Sequence, residues 1–266
     1  MKTAIIGTGN LGKSIAKGLI VNNAITTLYL TKRHIDELND FKGYNDVFLT
    51  SDNIEAVKQS DILILAVQPA HLEQILIHIK PHLNENHVVI STITGFTISK
   101  IEAVIGTNNH IIRAMPNTAI AVGKSMTCLC SNEKGEQRIK VAISIFNRLG
   151  NSIVIPESQM QAATVVCASG IAFWMRLIRA TTQAAIQLGF DAKEAQELAM
   201  FTSEGAASLL ITTGNHPEEE IDKVTTPMGC TIEGLNEMEH KGLSSSLIQG
   251  MVASFNKINS IKKEQI

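Results

Sequence analysis

The feature that most narrows the folds open to this chain is a glycine pattern set between two different periodicities. Lys2-Thr3-Ala4-Ile5-Ile6 is a short apolar run, Gly7-Thr8-Gly9-Asn10-Leu11-Gly12 follows at once, and Leu11, Ile15, Leu19 and Ile20 then recur at helical spacing. Strand, tight turn and helix in that order are the context in which G-x-G-x-x-G binds a dinucleotide. Gly7 makes the turn, Gly9 lets the backbone approach a pyrophosphate, and Gly12 lets the helix pack on the strand. The unpaired N–H groups of the first helical turn, near Asn10 and Leu11, supply the anion site.

The next strand, Thr27-Leu28-Tyr29-Leu30, ends where such a fold selects between NAD and NADP. A carboxylate there would hold a ribose 2′-hydroxyl; the chain has Thr31-Lys32-Arg33 instead. A hydroxyl and two cations suit a 2′-phosphate, and the arginine offers a bidentate fork, so NADPH is the expected cofactor, with NADH possible. A solvated pair of cations at a strand end is the alternative reading.

Strand and helix patterns continue to alternate. Val47 to Leu49, Asp61 to Val67, His87 to Thr92 and His110 to Arg113 read as strands, with helices at Asn53 to Gln59, Ala70 to Ile79 and Thr97 to Ile105. Continuous apolar strands joined by helices predict a doubly wound parallel sheet, which Met126 to Leu129, a helix over Gly135 to Leu149 and Ser152 to Ile155 extend. After Pro156-Glu157 the strand signal stops. Ala-rich helical patterns follow at Met160 to Leu188, Ala192 to Thr212 and Leu243 to Lys262, and Pro217 with three following acids starts a further helix. The expectation is an α/β protein with a Rossmann-like domain over 1–156 and an all-helical domain over 157–266. The apolar content of those helices leaves too little polar face for solvent, which predicts an obligate homodimer.

Composition narrows the function. With 44% hydrophobic and 18% charged residues the chain is of the globular class, and a net charge of −2 gives no electrostatic reason for nucleic acid or an anionic membrane. Arg176 and Arg179 interrupt the longest apolar stretch, which argues against a membrane span. The first strand follows Met1 directly and leaves no room for a signal peptide, so the cytoplasm is expected. Cys128, Cys130, Cys167 and Cys230 show no paired spacing and read as buried free thiols. His78 and His82 have the spacing of a metal pair, but Pro81 lies between them and no third ligand is evident; a solvated helix end is the reading, and no metal is expected. Cys230 lacks a histidine near it in sequence and is read as a small loop residue rather than a nucleophile. Trp174 and Met175 are read as interface or core.

The second half carries its chemistry in Val224-Thr225-Thr226-Pro227-Met228-Gly229-Cys230-Thr231-Ile232-Glu233-Gly234-Leu235. Hydroxyls, a proline and a glycine lead into a helix near Ile232, a second anion site suited to a carboxylate, or equally a capped loop between helices.

These segments together resemble the pyrroline-5-carboxylate reductase family over essentially the whole chain. The carriers are the glycine loop, Ala66-Val67-Gln68-Pro69, Arg113-Ala114-Met115-Pro116-Asn117-Thr118, Ala168-Ser169-Gly170-Ile171-Ala172-Phe173 and Val224 to Leu235. The resemblance implies NADPH-dependent reduction of the cyclic imine 1-pyrroline-5-carboxylate to L-proline. It also implies a helical domain interlaced with a partner's, an active site at the domain junction, and higher oligomers built from dimers. It places Gly7, Gly9, Asn10, Leu11, Thr31, Lys32, Arg33, Ala66, Val67, Gln68, Pro69, Pro116 and Asn117 at the cofactor. Thr226, Met228, Gly229, Cys230 and Thr231 fall at the substrate carboxylate, with Thr231 beside the ring nitrogen as the catalytic group. Gln68 stands for a lysine of the family pattern, Met228 for a glycine, Cys230 for a small residue, Ile171 for a proline and Arg179 for an acid. Those departures leave two alternatives: a related imine or oxo-acid reductase, or an NADP-binding regulatory protein without turnover. No Asp, Glu or His lies within Thr225 to Ile232, which fits an easily protonated imine better than a ketone.

Overall fold

A computed structural model describes residues 1–264, with side-chain surroundings to residue 260. Contacts divide the chain into one unit of Met1–Ile171, joined by the described residues from Lys257 on, and a second of Ala172–Asn256.

The first unit is built on eight strands: β1 (Lys2–Ile6), β2 (Thr27–Thr31), β3 (Val47–Thr50), β4 (Ile62–Leu65), β5 (Val88–Ser91), β6 (His110–Met115), β7 (Ser125–Ser131) and β8 (Gly150–Val154). They lie in the order β3-β2-β1-β4-β5-β6-β7-β8, and every neighbouring pair from β3 to β6 is parallel. All four residues of β4 and of β5 are buried, as strands covered on both faces require. Side chains alternate between two cores. Ile5 and Ile64 join Ile15, Leu19, Leu28, Phe41 and Phe146 on one face, while Ile6, Leu63 and Leu65 join Leu72, Leu76 and Ile101 on the other.

The covering helices are α1 (Asn10–Val21), α2 (Asn53–Lys58), α3 (Pro69–Ile79), α4 (Ile98–Ile105), α5 (Glu133–Glu136) and α6 (Ile139–Phe146). Asp52 and Thr97 cap α2 and α4 through their side chains, and Pro69 opens α3 at a position where its missing N–H costs no bond.

Three expectations are corrected in this unit. β7 runs antiparallel to β6 rather than extending the parallel sheet, because the connection Pro116–Lys124 holds only a 3-10 turn, too short for a crossover. The helix expected over Gly135 to Leu149 is two, separated at Gln137 and Arg138. Asn132 fixes the first of them by accepting the N–H groups of Gly135 and Ile111. The helix expected from Met160 starts as α7 (Met160–Ala163), widens into a π-helical segment over Thr164–Ser169, and resumes as α8 (Gly170–Gln187). Thr164 donates its hydroxyl to Met160 O at 2.8 Å, a local competitor for the helical ladder.

The second unit is helical. It takes in most of α8, then α9 (Ala192–Thr213), α10 (Pro217–Val224), α11 (Cys230–His240) and the first part of α12 (Leu243–Glu264). Asp191 caps α9 through two backbone N–H groups, and Gly214 ends it in the left-handed conformation. Few side chains of this unit are buried, and Trp174, Met175, Leu188, Phe201, Leu209 and Ile211 are exposed in the single chain. By length and composition the helical run Glu157–Gln187 is apolar enough to cross a membrane, because Arg176 and Arg179 stay within the number of charges such a stretch tolerates. Gln265 and Ile266, the end of the expected second domain, lie outside the described residues.

Candidate functional site

The strand order reverses at β1, where the chain moves outward through β2 and β3 on one side and through β4 to β6 on the other. In such sheets ligands bind beyond the carboxyl ends of the strands at that reversal. The residues placed at the cofactor occupy that edge: the glycine loop after β1, Thr31 to Arg33 at β2, Ala66 to Pro69 after β4, and Pro116 and Asn117 after β6.

The glycine loop is shaped by its neighbours. Gly7 has φ +89°, and a Cβ there would collide with Val67 Cγ1 just past β4. Positive φ and that contact both require glycine. A Cβ on Gly12 would lie 2.8 Å from Gly7 O, so the close approach of helix to turn depends on its absence. Around Gly9 the same atom would meet nothing within 4 Å. Gly9 is also the N-cap of α1, and no side chain caps that helix. Uncapped N–H groups facing open space fit the diphosphate of a dinucleotide.

At the end of β2 the three candidates have different surroundings. Thr31 is buried, its hydroxyl accepts the Gly7 N–H at 3.3 Å, and its carbonyl accepts the Thr8 N–H at 2.9 Å. Lys32 pairs with Glu37 at 2.6 Å, and that hydrogen bond holds the Glu37 carboxyl below its usual range. Arg33 is exposed and has no ion pair among the described residues. A guanidinium free to turn toward solvent fits a 2′-phosphate.

Beyond β4, Ala66 donates to Ile6 O at 2.9 Å, Gln68 is the N-cap of α3, and Pro69 is its first residue. Beyond β6, Pro116 is buried and Asn117 is fully committed. Its backbone N–H donates to Ser125 Oγ at 3.1 Å, its Oδ1 accepts from Ala119 N at 3.0 Å, and its Nδ2 donates to Cys167 O at 3.1 Å in the π segment. Arg113 is 4% exposed and pairs with Glu157 at 2.8 Å; the same carboxylate oxygen accepts the Ile98 N–H at the start of α4.

Glu157, Ser125 and the π segment are parts of this edge that sequence reasoning missed. Glu157 was legible only as a change of composition, since nothing in the chain marks a partner 44 residues away.

The second site lies in the helical unit. Gly229 N donates to Thr226 O at 2.9 Å, closing a turn with Pro227 at its second position and Met228 at its third. Met228 has φ +60°, the conformation that a type II turn requires there and that normally selects glycine, and its side chain is fully exposed. A Cβ on Gly229 would lie 2.5 Å from Thr226 Oγ1. Gly229 is the N-cap of α11, with no side-chain cap, and Cys230 and Thr231 occupy the first turn. The hydroxyls of Thr226 and Thr231 have no hydrogen-bond partner among the described residues. Free N–H groups beside two free hydroxyls can bind a carboxylate.

The cysteines depart from uniform burial. Cys128 and Cys130 are buried, Cys167 is half-buried and Cys230 is exposed, because the start of α11 lies outside any core. Burial pushes the Cys130 thiol up to about 11. His78 lies in the last turn of α3 and His82 in a separate 3-10 turn, Lys80–His82. Among the described residues no group of three metal-ligating side chains occurs.

Comparison with known proteins agrees with both halves. Residues 157–261 match the pyrroline-5-carboxylate reductase dimerisation family, and residues 2–95 match the family described as NADP oxidoreductase, coenzyme F420-dependent. The chain is 44% identical to pyrroline-5-carboxylate reductase 1 of Dictyostelium discoideum; that alignment covers 97% of this chain and 49% of that one, so the chain spans about half of it. It is 39% identical to pyrroline-5-carboxylate reductase 2 of the same organism, covering 97% of this chain and 95% of that protein. A solved pyrroline-5-carboxylate reductase from Coxiella burnetii superimposes with a TM-score of 0.91 at 30% identity, covering 97% of both chains.

Proposed function

The chain belongs to the pyrroline-5-carboxylate reductase family, and on that premise we propose that it reduces 1-pyrroline-5-carboxylate to L-proline with NADPH. The observation that carries the reading is the turn Thr226–Gly229 at the uncapped start of α11, which offers free backbone N–H groups and two free hydroxyls to one carboxylate.

The nicotinamide cofactor supplies the hydride when bound. Everything else falls to the chain. Gly9, Asn10 and Leu11 bind the diphosphate through the N-terminus of α1, and Arg33 holds the 2′-phosphate, with Lys32 beside it and Thr31 bracing the loop. Ala66 to Pro69 and Pro116 with Asn117 line the nicotinamide side. The backbone of Met228 and Cys230, with the Thr226 hydroxyl, orients the substrate through its carboxylate, and Gly229 closes the turn between them. Thr231 donates a hydrogen bond at the ring nitrogen. A pyrroline nitrogen takes a proton readily in water, so orientation rather than a strong acid is the main requirement. Met228 in the family's glycine position keeps the turn, since its φ is the one the turn needs.

We further assign the nucleotide domain to 1–156 and the dimerisation and substrate domain to 157–266, a reading supported by the family match over 157–261. The chain works as a homodimer from which higher oligomers are built, and it works in the cytoplasm, without nucleic acid or membrane. The exposed apolar helices of the second unit support the dimer, and a partner covering Trp174 and Met175 on α8 accounts for the apolar character of that helix.

The test is the fall of NADPH absorbance with purified protein and pyrroline-5-carboxylate, with NADH in parallel. Turnover is expected, faster with NADPH. Thr231→Ala is expected to lower kcat on the order of a hundredfold, the range of one positioned proton donor, with NADPH affinity unchanged. Equal loss of turnover and NADPH affinity would remove Thr231 from the reaction.

A further inference from the structure

Two of the thiols lie against each other. Cys128 Sγ on β7 and Cys167 Sγ in the π segment are 3.7 Å apart, though 39 residues separate them. Cys128 is buried, while Cys167 is only half-buried in the single chain. The backbone carbonyl of Cys167 is the acceptor that holds Asn117 Nδ2 at 3.1 Å. The thiol pair therefore sits directly behind a residue assigned to the nicotinamide.

We propose that Cys128 and Cys167 form a reversible intrachain disulfide when the protein meets a hydroperoxide, and that closing the bond slows turnover by shifting the carbonyl that holds Asn117. The Cys167 thiolate attacks one oxygen of hydrogen peroxide, the O–O bond breaks, and the hydroxide released takes up the proton that the Cys167 thiol gave to solvent, leaving a sulfenic acid on Cys167 and one water. The Cys128 sulfur then attacks that sulfur, the S–S bond forms, and hydroxide leaves and takes the Cys128 proton as a second water. Two thiols are oxidised by two electrons and one peroxide is reduced to two waters.

The chemistry suits the two positions. Either sulfur can donate to the other across that contact, and sharing the proton favours a thiolate on Cys167. Cys167, the less buried of the two, is the attacking thiolate and Cys128 the resolving thiol. Bond formation brings the sulfurs to about 2.0 Å, so they must close by about 1.7 Å. The yielding side is the π segment, since β7 is held between two strands while the π segment is a single widened turn set between two α-helical stretches. Transient disulfides of this kind are the form expected of a thiol pair in a reducing compartment.

This inference rests on the assignment of Asn117 only for its effect on turnover, so the experiment reads the bond and the activity separately. Reduced full-length protein is treated with stoichiometric hydrogen peroxide. The expected result is an intact mass lower by two hydrogens per chain, two of the four thiols lost to alkylation, and a linked peptide pair carrying Cys128 and Cys167. Dithiothreitol restores the thiols. In Cys128→Ala no link forms, and a sulfenic acid on Cys167 is trapped by dimedone. Cys167→Ser leaves Cys128 unmodified. NADPH turnover falls several-fold with the link and returns with reduction.

Four free thiols after peroxide, or a link through Cys130 or Cys230, would overturn the pair. A complete link with undiminished turnover would overturn its effect on Asn117. A reduced protein without turnover would count against the proposed reaction instead, and the mass and peptide results would still decide the pair.

Discussion

Lys32 and Arg33 are neighbours in the chain and unequal in their surroundings. The lysine ammonium is engaged by Glu37 at 2.6 Å, whereas the arginine is exposed and unpaired among the described residues. The sequence shows the arginine's bidentate fork but not that the lysine is engaged, because the partner of Lys32 lies five residues on in a 3-10 turn that no apolar periodicity announces. A charge-assisted hydrogen bond contributes about 1.5–3 kcal/mol, so Arg33→Ala is expected to weaken NADPH roughly 10- to 100-fold. NADH, which lacks the 2′-phosphate, is expected to be unaffected, and fluorescence titration with each cofactor reads the difference. The turn before α11 allows an equally local prediction. A Cβ on Gly229 falls 2.5 Å from Thr226 Oγ1 and 2.9 Å from Thr226 O, so Gly229→Ala must open the turn. Displacing a substrate cradle by about 1 Å costs on the order of a hundredfold, and kcat/KM for the imine is expected to fall by that much with NADPH affinity intact. Steady-state kinetics beside a binding titration separates the two. The residue types at this turn were legible, but the left-handed φ of Met228 was not, since no local pattern asks a methionine to take it.

At the scale of elements, the parallel half of the sheet was the legible part. Strands such as Ile62–Leu65 and Val88–Ser91 are apolar throughout because helices cover both faces, and each is followed by a helix with its own start signal. What stayed hidden depends on distance rather than pattern. The antiparallel turn of β7 follows from a short connection, the start of α5 from Asn132 reaching back to β6, and the π segment from one threonine hydroxyl and from Asn117. The joint between β1 and β4 depends on Gly7, where a side chain would meet Val67 in a backbone conformation with φ +89°. Left-handed strain of about 1–2 kcal/mol and overpacking of about 1–3 kcal/mol act together there. Gly7→Ala is therefore expected to destabilise the first unit by about 2–5 kcal/mol, and also to displace the loop assigned to the diphosphate. Urea unfolding followed by circular dichroism, with NADPH titration under folding conditions, checks both effects. A stable variant that retains tight NADPH binding would show that the loop tolerates a side chain there.

For the whole molecule, the two units stand in different relations to solvent. The first has a core on each face of its sheet, with more than a dozen fully buried apolar side chains. The second leaves Trp174 65%, Phe201 67%, Ile211 81% and Leu188 82% exposed in the single chain. Burying one such side chain fully contributes about 1.5–3 kcal/mol, so these four on each of two copies contribute on the order of 10–20 kcal/mol. Association itself costs about 4–15 kcal/mol, which leaves a margin that two or three side chains decide. The chain is accordingly expected to sediment as a dimer or a multiple of one, with a thermal midpoint that rises with protein concentration. The double variant Trp174→Glu and Phe201→Glu removes the burial of both side chains and places four carboxylates at the contact, two from each copy. It is expected to sediment as a monomer with a concentration-independent midpoint. Because the residues proposed to hold the nucleotide all lie in the first unit, NADPH affinity is expected to survive in that monomer. Turnover is expected to fall, since the turn proposed to hold the substrate belongs to the unit that has lost its partner. A monomer with full turnover would show that the dimer serves stability alone, and a dimer that persists at low concentration would move the contact away from Trp174 and Phe201.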